Sequence, residues 1–253
     1  MFGKQVDAAI LEYSKSVLPN EACGYINAKR EFVPLKNVAS NPKEEFKLSY
    51  NPKGALAIVH SHPDGPFYPS ELDMRQQIAT ALPWGIAGIH EKHNEVFWFG
   101  DDAPIPPLVG RGFRHGVTDC YSLVRDYYRS IHSILIPEFP RSWEWWTGDA
   151  ELYVKNFKQA GFAEIDLNDA LPGDGFIATI GRSKSANHAG VYLGNGLVLH
   201  HVARREGYAP DKLSVIEPAV KWMQYVTKVL RYENGDIDRT FRQDLWQPIS
   251  IRY

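Results

Sequence analysis

The sequence predicts an α+β chain of two domains. Three observations carry the prediction. Two clusters of chemically active residues lie far apart, around His60 to Asp73 and from Asp119 to His201. A Pro-rich stretch, Gly100 to Pro107, separates them and suits an extended linker. Helical and strand-like patterns occur on both sides of it. At 253 residues each half is long enough to bury its own core. The expected division is residues 1–100, a linker over 101–109, and residues 110–253.

Met1-Phe2-Gly3-Lys4-Gln5 opens an amphipathic helix, expected from Gln5 to Leu18, and lacks the form of a signal peptide. Strands are expected near Gly24 to Val33 and Leu56 to His60. Pro63-Asp64-Gly65-Pro66 and Pro69 then supply a turn. A helix starts at Ser70, where Ser followed three residues later by an acidic residue resembles a capping box. Strands near Gly85 to Ile89 and Glu95 to Phe99 complete the first half.

In the second half Leu123, Val124, Tyr127, Tyr128 and Ile131 fall at helical spacing, with Asp119 or Thr118 as N-cap and Cys120 in the first turn. A loop carrying Trp143, Trp145 and Trp146 follows. These rings either line a groove or pack as a core cluster, and the general burial of aromatics favours packing. A helix near Ala150 to Ala160 leads into strands that end near Tyr225 to Tyr232. The last twenty residues match no pattern.

His60 and His62 are two apart at the end of an apolar strand, so both rings point to one face. Catalytic zinc takes three protein ligands, commonly His and carboxylate, and leaves a position for water. Asp73 can supply the third ligand if the chain folds back. Cys23 reads as a small buried thiol, and His90 and His93 as loop histidines. In the second half, a thiol in the first turn of a helix feels the positive end of the helix dipole. It needs a His to accept and return its proton, and His188 is the candidate. The apolar runs flanking Asn195-Gly196 predict a hairpin that brings His188 beside His200 or His201. A plain two-residue turn would set His201 on the face of His188. A three-residue or bulged turn would set His200 there. Local geometry leaves the choice open.

The run His60-Ser61-His62, seven residues, Ser70, two residues, Asp73 resembles the JAMM (MPN-plus) metalloprotease motif. Pro19-Asn20-Glu21-Ala22-Cys23-Gly24-Tyr25-Ile26 resembles that family's opening strand. The resemblance implies a mixed α/β domain with Zn2+ on His60, His62 and Asp73. It also implies that Glu21 is a general base for zinc-bound water and that Ser70 stabilises an oxyanion.

Asp119-Cys120 before a helix, Leu171-Pro172-Gly173-Asp174-Gly175-Phe176 and His188-Ala189-Gly190-Val191-Tyr192-Leu193-Gly194 together resemble the NlpC-type cysteine peptidases of the papain-like superfamily. This implies a papain-like α+β domain with Cys120 as nucleophile and His188 as base. The family's third polar residue falls twelve positions after that His, which selects His200. Two departures stand out: Cys120 is followed by Tyr121-Ser122 in place of the common Ser-Gly, and Phe113 stands in for the Tyr that usually precedes the Cys.

The fusion of the two, with the run His200 to Glu206, resembles the tail-tip assembly proteins of lambda-like phages. That resemblance implies peptidoglycan stem peptides, at a D-glutamyl bond, as substrate of the thiol half. An isopeptide or peptide bond, in a partner tail-tip protein, would be the substrate of the metal half. The implied location is the host cytoplasm during assembly, with the virion tail tip as a further place. A competing reading is an assembly protein whose peptidase folds serve as binding modules. A net charge of −2 without a long basic run gives nucleic-acid binding no electrostatic support. No segment is long and apolar enough to span a membrane. Two cysteines exclude a disulfide framework and suit a reducing cytosol.

Overall fold

The computed structural model describes residues 1–148, 150–203, 206–240 and 245. Arg204 and Arg205 of the run His200 to Glu206, and most of the C-terminal stretch, lie outside the described residues. The architecture is α+β, in two compact units. One comprises Met1–Pro104 with His115–Val117, the other Ile105–Arg114 with Thr118–Tyr253.

In the first unit, helix α1 (Lys4–Ser16) precedes strands β1 (Cys23–Ile26), β2 (Phe32–Leu35) and β3 (Ala57–Pro63). Helix α2 (Glu71–Thr80), β4 (Trp84–Ile89) and β5 (Asn94–Phe99) follow. The sheet order is β2-β1-β3-β4-β5. The run expected as one strand from Gly24 to Val33 is a hairpin. Asn27 breaks it, because its side-chain oxygen accepts from the backbone N–H of Lys29 and Glu31 and closes a turn. The remaining pairs are antiparallel, except that β3 and β4 run parallel and are joined through α2. Such a crossover starts its helix at the carboxyl end of the first strand, where ligands bind in α/β sheets. Alternation sorts the β3 side chains. Ala57 and Val59 join Ile10, Ile26, Ala87 and Ile89. Ile58 faces the opposite cluster, with Trp84, Ile86, Phe97 and Phe99. His60 and His62 therefore belong to the second face.

In the second unit, β6 (Gly112–Arg114) leads to α3 (Cys120–His132) and the short α4 (Leu152–Asn156). Strands β7 (Phe162–Ile165), β8 (Gly175–Ala178), β9 (His188–Gly194), β10 (Leu197–His200), β11 (Tyr208–Leu213), β12 (Val215–Pro218) and β13 (Val226–Tyr232) follow. Six of them form an antiparallel sheet in the order β12-β10-β9-β8-β13-β7, and β11 pairs with β6. The main core joins Leu123, Val124, Tyr127 and Tyr128 of α3 to Ile177, Ala189, Val191, Leu193 and Leu199 of the sheet. Trp145 is part of this core, and Trp146 packs against it. Residues 101–109 form no helix or strand, and Ile105, Leu108 and Val109 pack on the same core. Helix α4 is shorter than the pattern suggested, because Gly161, at φ 90, turns the chain into β7. Among the described residues no helix is long and apolar enough to cross a membrane.

A buried ionic network fixes the start of α3. Asp119 caps the helix by accepting from the Ser122 N–H at 2.8 Å. Both of its oxygens take hydrogen bonds from Arg141, at 2.7–3.0 Å. Arg141 also donates to Glu138, which is paired with Arg125. Asp119 and Arg141 are 3% and 2% exposed, and the guanidinium neutralises the buried Asp119 carboxylate. Removing one member of a buried pair leaves an uncompensated charge, a loss of about 3–5 kcal/mol. Arg141→Ala is expected to destabilise the second unit by that amount in urea unfolding. A change below about 1 kcal/mol would show that the pair is not needed.

Candidate functional site

Three side chains converge at the carboxyl end of β3. His60 Nε2 and His62 Nε2 are 3.1 Å apart. Asp73 Oδ1 lies 3.1 Å from His60 Nε2, and Asp73 Oδ2 lies 3.4 Å from His62 Nε2. All three residues are buried. Ligands held about 2.0–2.1 Å from a tetrahedral zinc are separated by about 3.3 Å, so the spacings fit that ion. The tautomer fits as well. His62 Nδ1 lies 2.8 Å from the Pro66 carbonyl, which can only accept, so Nδ1 carries the proton and Nε2 offers its lone pair. His60 is held face to face by Phe46, with ring centroids 4.4 Å apart.

Two other candidates stand at this cluster. In the β1–β3 register Cys23 pairs with His60, and Ala22 continues the contact by accepting from the Ser61 N–H. Glu21, two residues before β1, is buried, with its backbone N–H on the Pro42 carbonyl. Burial pushes the Glu21 carboxyl up to about 7; His62 lowers it, and Asp73 and Glu45 raise it. Ser70 caps α2 in a complete capping box with Asp73. Its hydroxyl donates to Asp73 Oδ2 at 2.6 Å, so Ser70 is placed on the Asp73 carboxylate. Burial opposes ionisation of Asp73, but the two imidazoles outweigh it and hold the carboxyl far below its usual range. Cys23 is not among the ligand-spaced residues; its sulfur lies 3.6 Å from the Leu35 carbonyl. His93 meets Glu95 instead, at 3.1 Å.

In the second unit Cys120 is the first residue of α3, and its sulfur lies at the backbone N–H of Ala189, the residue after His188. Its side-chain partner is the Tyr153 hydroxyl, 3.2 Å away, a group the sequence pattern did not suggest. Burial and then Asp119 push the thiol up to about 11, against lowering by Tyr153, Ala189 and Arg141. Burial, together with His200 and His201, holds His188 well below the usual histidine range. Both groups are thus neutral at rest. Among the described residues His188 Nε2 has no hydrogen-bond partner.

The β9–β10 hairpin gives the two histidines of the pair different places. Gly194 pairs with Leu197 around Asn195-Gly196, but the register then shifts, so that Val198 meets Tyr192 and His200 meets Gly190. The bulge puts His200 on the face of His188, with ring centroids 5.3 Å apart. Trp222 packs against both rings, at 4.2 and 5.4 Å. His201 packs on Phe113 at 5.2 Å, and its Nε2 lies 2.7 Å from the Lys212 carbonyl. Phe113 thus lies against His201.

Comparisons with known proteins follow the same division. Residues 3–100 match the family described as prokaryotic homologs of the JAB domain, and residues 110–229 match the NlpC/P60 family. The tail tip assembly protein K of Escherichia phage N15 is 32% identical over 251 residues, covering 91% of this chain and 95% of that protein. Its namesake from Escherichia phage lambda is 39% identical over 180 residues, covering 70% of this chain and 81% of that protein. Among solved structures, an NlpC/P60 family protein from Bacillus cereus ATCC 10987 is 13% identical, with a TM-score of 0.32. The match covers 87% of this chain and 66% of that one.

The raised Glu21 pKa has a consequence for stability. The folded protein favours the protonated carboxyl, so the stabilisation is complete below the ordinary value of 4.5 and is lost as pH rises through about 7. At 1.36 kcal/mol per pH unit, Glu21 contributes about 3 kcal/mol of that loss. In chelator-treated protein, Glu21→Gln should therefore fall in stability less than the parent between pH 4.5 and 7. Equal slopes in urea titrations across that range would contradict the assignment.

Proposed function

Since this chain belongs to the family of tail tip assembly protein K, with a JAB-like and an NlpC/P60 domain, we propose that it is a two-site peptidase of the phage tail tip. The division proposed is a metal-dependent domain over 1–100 and a thiol domain over 110–253. The metal half would cut an isopeptide or peptide bond, in another tail-tip protein. The thiol half would cut peptidoglycan stem peptides, at a D-glutamyl bond. The protein would act in the host cytoplasm during assembly and at the virion tail tip.

The observation that carries the metal half is the convergence of two imidazole nitrogens and a carboxylate at 3.1–3.4 Å, with the buried Glu21 carboxyl near enough to feel both His62 and Asp73. His60, His62 and Asp73 would hold Zn2+, which when bound supplies a Lewis acid and lowers the pKa of water. Glu21 would accept a proton and return it to the leaving amine, a task suited to a carboxyl near 7. Ser70 would steady Asp73 through its hydroxyl and stabilise an oxyanion once that hydroxyl turns to substrate.

In the thiol half Cys120 would attack the scissile carbonyl while its proton passes to His188. His188 would then give the proton to the leaving amine, and water would release the acyl group from sulfur. His200 would hold the orientation of His188. The resting pair is neutral, so proton transfer would accompany attack.

Purified protein should carry about one zinc per chain, and His62→Ala should lose it while keeping its fold. Elemental analysis that finds equal metal in both proteins would remove these residues as ligands. Incubation with muropeptides, read by mass spectrometry, tests the other half. Cys120→Ala should abolish cleavage, on the order of 10⁶-fold, and leave zinc content unchanged. His200→Ala should depress cleavage far more than His201→Ala. Cleavage that stops with a chelator while the protein stays folded would overturn the separation of the two sites.

A further inference from the structure

The strongest unassigned group in the molecule is the hydroxyl of Tyr153. Tyr153 lies on α4, in a segment whose helical pattern gives no hint of chemistry. It is 6% exposed, and its oxygen is 3.2 Å from Cys120 Sγ. Its ring is fixed edge-on by Trp145 at 5.2 Å and tilted against Tyr121 at 5.9 Å. The hydroxyl is therefore held in one place at the sulfur and kept from water. Phe113, the residue matching the Tyr that usually precedes the nucleophile, has no hydroxyl and packs on His201.

We propose that Tyr153 is a further catalytic residue of the thiol site, donating its hydroxyl hydrogen first to the Cys120 sulfur and then to the oxyanion that forms on the substrate carbonyl. The inference rests on the reading of Cys120 as a nucleophile.

The geometry of attack supports the second role. A carbonyl carbon about to react lies about 3–3.5 Å from the sulfur, and its oxygen is about 1.2 Å further along the C=O bond. A donor 3.2 Å from the same sulfur can come within reach of that oxygen. The useful range for an oxyanion donor is about 2.7–3.1 Å. In the first turn of α3 the Ser122 N–H is taken by the Asp119 cap, but those of Cys120 and Tyr121 have no acceptor inside the helix and can complete the donor set. In the step itself the S–H proton moves to His188 and the S–C bond forms. The C=O π pair moves onto oxygen, where Tyr153 donates a hydrogen bond without giving up its proton. Collapse re-forms C=O, breaks the C–N bond and returns the proton from His188 to the amine. The tyrosine proton stays on the tyrosine throughout, in keeping with a phenol that burial, then Cys120 and Asp119, push well above its usual range.

The test uses the full chain and Tyr153→Phe, which keeps the ring and removes only the hydroxyl. The rate of iodoacetamide alkylation of Cys120 is followed from pH 7 to 9, well below the midpoint of the thiol, reading the Cys120 peptide by mass so that Cys23 does not interfere. At each pH the variant should react about tenfold more slowly, the size of a hydrogen bond to a charged group. Tyr128→Phe deletes another buried hydroxyl at α3, one that bonds the Gly173 carbonyl, and should leave the Cys120 rate unchanged. With muropeptides, kcat of Tyr153→Phe should fall about 10²-fold and KM should stay within about twofold. Coincident alkylation profiles would overturn the bond to sulfur, and an unchanged kcat would overturn the oxyanion role. If the parent protein leaves muropeptides uncut, the peptidase reading fails and the catalytic role of Tyr153 fails with it. The alkylation profiles then still decide the contact with sulfur.

Discussion

A slip of one residue between β9 and β10 would turn His200 to the opposite face from His188, because side chains on a strand alternate. The same alternation holds His60 and His62 on one face of β3. Both candidate sites therefore depend on register, and each register is fixed by packing away from the chemistry. In the first unit it is fixed by burial of β3 on both faces, with Ala57 and Val59 committed to one cluster and Ile58 to the other. In the second it is fixed by the bulge between Leu197 and Val198, which keeps Leu199 in the main core while His200 meets Gly190. A side chain at Gly190 would strike the Phe176 ring and the Leu199 carbonyl, so glycine is needed there for the strands to approach.

Helix starts supply the other half of each site. Asp73 sits in the first turn of α2, where the capping box with Ser70 and the positive end of the helix favour its ionised form. Cys120 has the equivalent place on α3, but its sulfur does not gain the same benefit. Burial and the neighbouring Asp119 carboxylate outweigh the donors around it, and the thiol stays neutral. Asp119 is held there by Arg141, which secures the helix start at the cost of a negative charge next to the Cys120 thiol. One capping arrangement thus favours an ionised carboxylate, while the other restrains a thiol.

The sequence disclosed what is local. His60, His62, Ser70 and Asp73 are legible because the strand period and the helix cap each act over a few residues. Cys120 and His188 are legible because a helix N-terminus and an Asn-Gly hairpin have short signatures. The choice of His200 over His201 needed the resemblance, since the bulge that settles the register has no unambiguous local code. Tyr153, Trp222, Arg141 and Phe46 were not legible as parts of a site. Each meets its partner across a gap in sequence that only the fold closes, as Tyr153 does with Cys120, 33 residues away. The hairpin within Gly24 to Val33 was missed for another reason: apolar residues on either side of Asn27 outweighed its side-chain turn signal.

The neutral state of Cys120 and His188 shapes how the thiol half would work. A stable thiolate–imidazolium pair needs the ionised forms to be better solvated by the protein than the neutral ones. Here burial is the leading influence on both groups and opposes both charges. The second ring at the site, His200, is itself held down at about 4, chiefly by burial, so it approaches His188 as a neutral imidazole. Trp222, packed on both rings, adds apolar surface. A resting site of this kind keeps its sulfur protonated and slow to oxidise, because the reactive form is the thiolate. Charge would then develop only when a substrate carbonyl is in place to accept the electrons of the sulfur. Fixed donors at the oxyanion position would stabilise it at that moment without reorganisation. An aliphatic side chain at position 153 would keep the sulfur just as buried and leave the developing charge with one donor fewer. The neutral pair and the buried phenol thus belong to one electrostatic arrangement, in which ionisation waits for substrate.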